Sequence, residues 1–437
     1  MKDYGYKRLD IPKIRYYTNK TPQSVLKMEL DIILISVLSI FMLFIIIIAH
    51  QNQAYAAPPV LFGPLWKQEA NSSNSTAKSD SLNVLFAQAN SFLTTKPTSV
   101  IDKIQLPASG NRHDFLSLAP YCSPDPTKIG GLPYVCHDGV LNPEVNSIPD
   151  HRNMNEMITQ VRVLCLAYYF SDNILYASKA AELVRVWFLN NSTRMNPNLQ
   201  FAEMVPGLYN GTPRGIIAGK DLADIGDSIS LVQNTQAWTM QDQKNLELWF
   251  KDYLDWLLNS DAGKKEREYA NNHGTWYDVQ ASSIALFLNK TDVARSILET
   301  NEPNRIALQI MPDGRQPFEL VRQTSLHYSI LNLMGLFKLA IIGQHFGLDL
   351  WNYQSTEGSG LRKALDYLLP YILKNQTWPY MQILPTETEH DKDVEFLLCQ
   401  ATIHYQNNET YLQAYKSLNK GDVYSSLDNL TYGCANS

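Results

Sequence analysis

Three polar segments of this chain carry side chains that could do chemistry. The first, Asn271-Asn272-His273-Gly274-Thr275-Trp276-Tyr277, ends a loop where a helical pattern begins. Asn is a good N-cap, so the segment could simply close a helix. Two amides and an imidazole together could also hold an acid group through neutral donors. The second runs from Gln309 to Pro317 through the turn Pro312-Asp313-Gly314, then presents Glu319, Arg322, His327 and Tyr328. Arg322 and Tyr328 do not share one face of a straight helix, so they converge only if Arg322 lies at or before the helix start. The alternative pairs Arg322 with Glu319 and leaves Tyr328 in the core. The third, Thr193-Arg194-Met195-Asn196-Pro197-Asn198-Leu199-Gln200, is rich in amides. An amide offers both a donor and an acceptor, which suits sugar hydroxyls, although an ordinary solvated loop has the same composition.

Taken together, these segments resemble the alginate lyase superfamily of polysaccharide lyases. The resemblance rests on Asn-Asn-His-Gly-Thr-Trp-Tyr-Asp-Val-Gln, on Pro-Asp-Gly-x-Gln-Pro, on Glu-Leu-x-Arg-x-x-Ser-Leu-His-Tyr and on Thr-Arg-Met-Asn-Pro-Asn. His113-Asp114-Phe115 with Ser117-Leu118-Ala119-Pro120-Tyr121 resembles the N-terminal motif, and Trp378-Pro379-Tyr380-x-Gln382-Ile383 fits as well. The likeness covers about 110–400. Two departures stand out. Cys122 and Ser123 replace aromatic residues after Pro-Tyr, and the Arg322–Tyr328 spacing is closer to the branch that includes glucuronan-active lyases.

The resemblance implies β-elimination on a uronate polymer such as alginate or glucuronan. The C5 proton of a uronate becomes acidic only when the adjacent carboxylate is neutralised. The reaction therefore needs donors on that group, a base at C5 and an acid at the C4 oxygen. By resemblance, Asn272, His273 and Arg322 would hold the carboxylate. Tyr328 would act as base, acid or both, with His273 as the rival base for the epimer whose proton lies on the opposite face. A basic Tyr328 needs a cationic neighbour, since tyrosine ionises near pH 10; Arg322 is the obvious one. Asn196, Asn198, Gln200, Arg194, Tyr380 and Gln382 would bind flanking sugars, and Arg214 and Arg152 could counter substrate charge. No metal or cofactor is expected, since the His residues are scattered and no CxxC occurs. Two other readings stay open. One is a hydrolase on a similar toroid using two carboxylates such as Asp278 and Glu319. The other is a catalytically silent binding protein of the cell envelope.

These residues need a scaffold, and the apolar periodicity is mainly helical. It predicts helices from about 153, over 173–189, 224–235, 240–258, 277–289, 291–299, 320–346, 361–374, 391–404 and 408–418. Long loops are expected at 105–151, 190–222, 259–275, 301–318 and 376–390. Serial helical hairpins with loops gathered at one end predict an all-α, incomplete (α/α) toroid whose loops build a cleft.

Composition fixes the class and the compartment. The 437 residues carry 37 Lys+Arg against 43 Asp+Glu and are 45% hydrophobic, which excludes a disordered chain. Mild acidity argues against a nucleic-acid partner; the partner that the resemblance implies is an anionic uronate polysaccharide, and a monomer is expected. Residues 32–49 form an uncharged run at the lower limit of a membrane span. The segment before it carries a net +3, leaving −9 on the rest. Ala54-Tyr55-Ala56-Ala57 offers a signal-peptidase site. Residues 1–56 thus read as a targeting segment, either cleaved or kept as an anchor, with 57–80 as a flexible linker and 81–437 as the toroid, outside the cytoplasm. Of five cysteines, Cys122 and Cys136 flank a Pro/Gly-rich loop and are expected to pair, with Cys399–Cys434 as a second bond and Cys165 as a buried thiol.

Overall fold

The chain divides into two units, Met1–Ala56 and Ala57–Ser437. The computed structural model describes residues 36, 42, 59–62, 76–383, 391–405, 409–418 and 423–434. The apolar run 32–49 therefore lies almost wholly outside the described residues.

The second unit is an incomplete α/α toroid. Its helices are α1 (Thr76–Phe92), α2 (Asp150–Ser171), α3 (Ile174–Val184), α4 (Ala223–Val232), α5 (Met240–Asn259), α6 (Asp261–Arg267) and α7 (Asn272–Phe287). After these come α8 (Thr291–Ser296), α9 (Glu302–Gln309), α10 (Pro317–Leu320), α11 (Ser325–Gln344), α12 (Leu361–Ile372), α13 (Asp391–His404), α14 (Glu409–Leu418) and α15 (Val423–Tyr432). Local chemistry sets many of the ends. Thr239 and Asp242 form a reciprocal capping box at α5, and Asn271 caps α7 by accepting from the His273 amide.

Two apolar cores lie side by side, and α7 belongs to both. Tyr277, Ala281 and Ile284 face the core built on α1–α5, while Trp276 and Val279 face the core built on α11–α14. Helix α7 therefore has little freedom to shift, which holds its N-terminus in place. Helix α11 is long and apolar enough to cross a membrane, but 89% of its most apolar window is buried inside the protein. It is a core helix, nearly apolar all round because other helices surround it.

Two small sheets carry the loop residues. The strands β1 (Leu116–Leu118) and β4 (Phe201–Met204) pair in parallel, and β2 (Cys122–Ser123) pairs antiparallel with β3 (Val135–Cys136). Cys122 is bonded to Cys136 and Cys399 to Cys434, while Cys165 is free and buried.

Several expected loops are ordered differently. The 259–275 loop contains α6, whose surface is so polar that it carries no apolar stripe to read; Ser260 caps it by accepting from the Gly263 amide. Helix α7 starts at Asn272 rather than near 277, and the 301–318 loop is helical as far as Gln309. The expected helix 320–346 begins at Ser325, with Arg322 in the turn before it. The stretch read as a flexible linker is anchored at its start. Val60, Leu61 and Phe62 are buried, and their amides donate to the Asp227 carboxylate. Three converging N–H groups fix backbone that composition alone marks as loose.

Candidate active site

The start of α7 is held from behind by two buried carboxylates. The Asn272 backbone N–H donates to Glu319 Oε1 at 2.6 Å, and its side-chain Nδ2 donates to Glu319 Oε2 at 2.8 Å. One Nδ2 hydrogen is thereby used and the other is left. Burial pushes the Glu319 carboxyl up to about 7, against the Asn272 hydrogen bonds that favour its charged form. His273 Nδ1 lies 2.8 Å from Glu266 Oε1, and Glu266 on α6 is fully buried. A carboxylate can only accept, so Nδ1 carries the proton toward Glu266 and Nε2 is the free ring nitrogen. Gly274 beside it is obligatory in this packing: a Cβ there would sit 2.1 Å from the Tyr269 carbonyl oxygen.

Glu203 adds a third carboxylate in electrostatic reach of His273, Glu266 and Arg214. It sits on β4 in the left-handed region at φ 51°. A non-glycine residue there carries strain of about 1–3 kcal/mol, a cost that tends to appear where a side chain must be aimed.

The second half of the site forms at the start of α11. Arg322 donates to Asp138 through Nε at 3.0 Å and Nη2 at 2.6 Å, a bidentate fork. Its guanidinium carbon lies 3.6 Å from the centre of the Tyr328 ring. The Tyr328 hydroxyl is 2.6 Å from the Tyr121 hydroxyl and is nearly buried. Burial, then the Tyr121 neighbour, raise the Tyr328 phenol above its ordinary value, and Arg322 opposes that only in part. The Arg322 cation covers the ring face and favours the phenolate, while the hydroxyl meets another phenol. Glu319 joins the halves: it binds Asn272 and is in electrostatic reach of Arg322 and His273.

Behind both halves runs a buried amide network. Asn332 Nδ2 donates to Gln309 Oε1 and to Gln316 Oε1, each at 2.9 Å, and Thr275 Oγ1 donates to the same Gln309 oxygen at 3.0 Å. Gln316 Nε2 donates to the Ser329 carbonyl. Gln309 thus ties α7 to α11 through the core, and Gln316 of the Pro-Asp-Gly-x-Gln-Pro turn joins the network from the α11 side.

The sequence-predicted sugar-binding residues are distributed less uniformly. Asn196 is committed to Asp114 through Nδ2 at 2.7 Å, and Asn198 Oδ1 accepts the Gln200 amide in a local turn. Arg194 and Gln200 are exposed, and the Arg194 carbonyl accepts from His113. Tyr380 packs edge-on to Trp378 and hydrogen-bonds Tyr367 and Arg315, which lower its phenol pKa. Gln382 does not simply face a sugar: its Oε1 accepts the Leu326 amide and so caps α11. Arg214 lies 5.8 Å from the centre of the Tyr269 ring, within the His273 cluster. Arg152 belongs to a surface pair with Glu156 on α2. The two carboxylates a hydrolase would need are both buried and occupied, Asp278 by Arg305 and Glu319 by Asn272. Asp138, Glu203 and Glu266 were not singled out from the sequence. Tyr121 was visible only as part of a motif, with no role.

The alginate lyase family profile matches residues 99–378. The crystal structure of an alginate lyase from Bacteroides ovatus is similar, with 32% identity and a TM-score of 0.79, covering 85% of this chain and 98% of that one. Alginate lyase A1-III complexed with a tetrasaccharide shares the fold at 13% identity and a TM-score of 0.50, covering 84% of this chain and 98% of that one. No curated protein matches by sequence. The profile spans well over half of the chain and the Bacteroides relative is matched almost end to end, so the chain belongs to the alginate lyase family and is a polysaccharide lyase.

Proposed function

We propose that the protein depolymerises a uronate polysaccharide of the alginate or glucuronan type by β-elimination, outside the cytoplasm. The observation that carries this reading is the buried carboxylate of Glu319, which binds Asn272 and lies in electrostatic reach of His273 and of Arg322, the cation stacked on the Tyr328 ring. The substrate carboxylate is held by the Arg322 N–H groups that Asp138 leaves and by the second hydrogen of Asn272 Nδ2. These donors stabilise the charge that builds as the C5 proton departs. His273 Nε2 is the base for a ring whose C5 proton lies on its face, since Glu266 holds the other nitrogen. Tyr328 keeps its proton and delivers it to the departing C4 oxygen. On a ring whose proton and leaving oxygen share one face, Tyr328 acts instead from its ionised form, taking the C5 proton and passing it to the C4 oxygen. Exposed Arg194 and Gln200, with Tyr380 in its aromatic cluster, bind flanking sugars. Residues 1–56 direct the chain across the membrane, and the toroid works as a monomer without nucleic acid or cofactor.

The test is a panel of mannuronan, guluronan and glucuronan treated with purified protein. The expected result is ultraviolet-absorbing unsaturated ends from at least one polymer. Saturated ends, or no cleavage of any of them, overturn the reading. His273→Ala should lose more activity on the polymer whose proton and leaving oxygen lie on opposite faces than on the other.

A further inference from the structure

We propose that Asp138 is a positioning residue for the elimination, holding the Arg322 guanidinium flat over the Tyr328 ring so that one edge of it is left for the substrate. This rests on the roles given to Arg322 and Tyr328 above. Arginine has five N–H donors in one plane. Asp138 takes the Nε–H and one Nη2–H, at 3.0 and 2.6 Å, and three remain. A planar group pinned along one edge cannot turn, so its face stays on the phenol ring at 3.6 Å. The pair is partly open to solvent, Arg322 being 19% and Asp138 34% exposed. A bidentate fork fixes geometry as well as adding energy, and the consequence followed here is orientation.

The support for Asp138 is itself built. It follows β3 on a hairpin closed by the Cys122–Cys136 disulfide, and its Oδ2 also accepts the Gln323 amide at 3.0 Å. Tyr121 flanks the same end of the ladder, where its carbonyl accepts from the His137 amide at 2.9 Å and its hydroxyl meets Tyr328. Gly139, at φ +73°, lets the hairpin close on the turn before α11: a Cβ there would meet Ile383 Cδ1 at 2.9 Å and Gln323 Cβ at 3.0 Å. One cross-linked hairpin therefore grips both Arg322 and Tyr328. The groups facing Tyr328 are Tyr121 and Asp138 from the hairpin, Arg322 from the preceding turn and His327 from its own helix.

The experiment compares the full-length protein with Asp138→Asn and Asp138→Glu. Asn keeps the shape but loses the charge and the bidentate acceptor. We expect kcat to fall about 10- to 100-fold with KM nearly unchanged, and Glu to restore part of it. Removing the negative charge also leaves Arg322 to lower the Tyr328 phenol, so the alkaline limb of the pH–rate profile moves to lower pH. A merely structural role would not move that limb. A raised KM with kcat and pH profile intact overturns the proposal, and so does a faster or tighter-binding Asn variant, which would make Asp138 a competitor of the substrate carboxylate. If the parent cleaves no uronate, the functional reading falls. The positioning claim is then still decided by the Arg322 Nε–H nuclear magnetic resonance signal, which must be slow to exchange in the parent and fast in Asp138→Asn.

Discussion

The starts of α7 and α11 do comparable work by opposite means. Asn272 and His273 are fixed from inside, by Glu319 and Glu266, two carboxylates with almost no solvent exposure. Arg322 and Tyr328 are fixed from outside, by Asp138 and Tyr121 on a surface hairpin that a disulfide closes. The inner support is part of the core, so disturbing it costs stability as well as activity. The outer support is a loop, so its residues can change with little effect on the fold. Under the proposed mechanism, a donor that must hold still suits the first arrangement and a stacked Arg–Tyr pair with one open edge suits the second.

The comparison breaks most visibly at the hydroxyl proposed to react, that of Tyr328. Tyr328→Phe removes one oxygen and leaves the apolar packing, so kcat should fall about 10²- to 10⁴-fold with an unchanged circular dichroism spectrum. Retention of more than a tenth of the activity would remove Tyr328 from the chemistry. Next comes Glu266→Gln. Gln can turn either its oxygen or its NH2 toward His273 Nδ1, so the tautomer is no longer fixed; we expect at least about a 10-fold loss of kcat together with a lower melting temperature. A loss of activity with no loss of stability would erase the contrast between the two supports.

The inner support also makes a pH prediction. The Glu319 carboxyl stands at about 7 in the folded chain against an ordinary 4.5. The folded chain thus holds this proton more tightly than the unfolded one. Its contribution to stability is complete below about pH 4.5 and is lost as pH rises toward 7, with a slope of up to about 1.4 kcal/mol per pH unit. Glu319→Gln should flatten that stretch of a denaturant-stability curve measured against pH; an unchanged slope would assign it to another group. The smallest effect is expected at Arg152→Ala, where an exposed helix pair is lost. Stability should move by less than about 0.5 kcal/mol and activity by less than about twofold. A larger loss of activity would return Arg152 to the substrate path.

Asn272, His273, Arg322 and Tyr328 were legible because unusual polar residues sit together beside turn and cap signals, and because several such motifs occur in a fixed order. Asp138, Glu203 and Glu266 were not, because a single acid in a loop, a short strand or a charged helix looks like any solvated side chain. Helix α6 shows the limit sharply: Asp261–Arg267 is polar enough to read as loop, yet it delivers the buried carboxylate that orients His273. Gln382 shows the converse, a polar residue in a recognisable motif whose oxygen is spent on capping α11.

By itself the sequence determined the helical class, which follows from apolar periodicity, and singled out Asn272, His273, Arg322 and Tyr328 as candidates from side-chain chemistry that travels with the chain. Only the tertiary structure decided what each of those groups touches. Arg322 meets Asp138 across a long separation in sequence, Glu266 reaches His273 from a different helix, and the state of Tyr328 is set by burial and by Tyr121. Proton affinity and orientation depend on the field and the solvent around a group, and those exist only once distant segments have packed together.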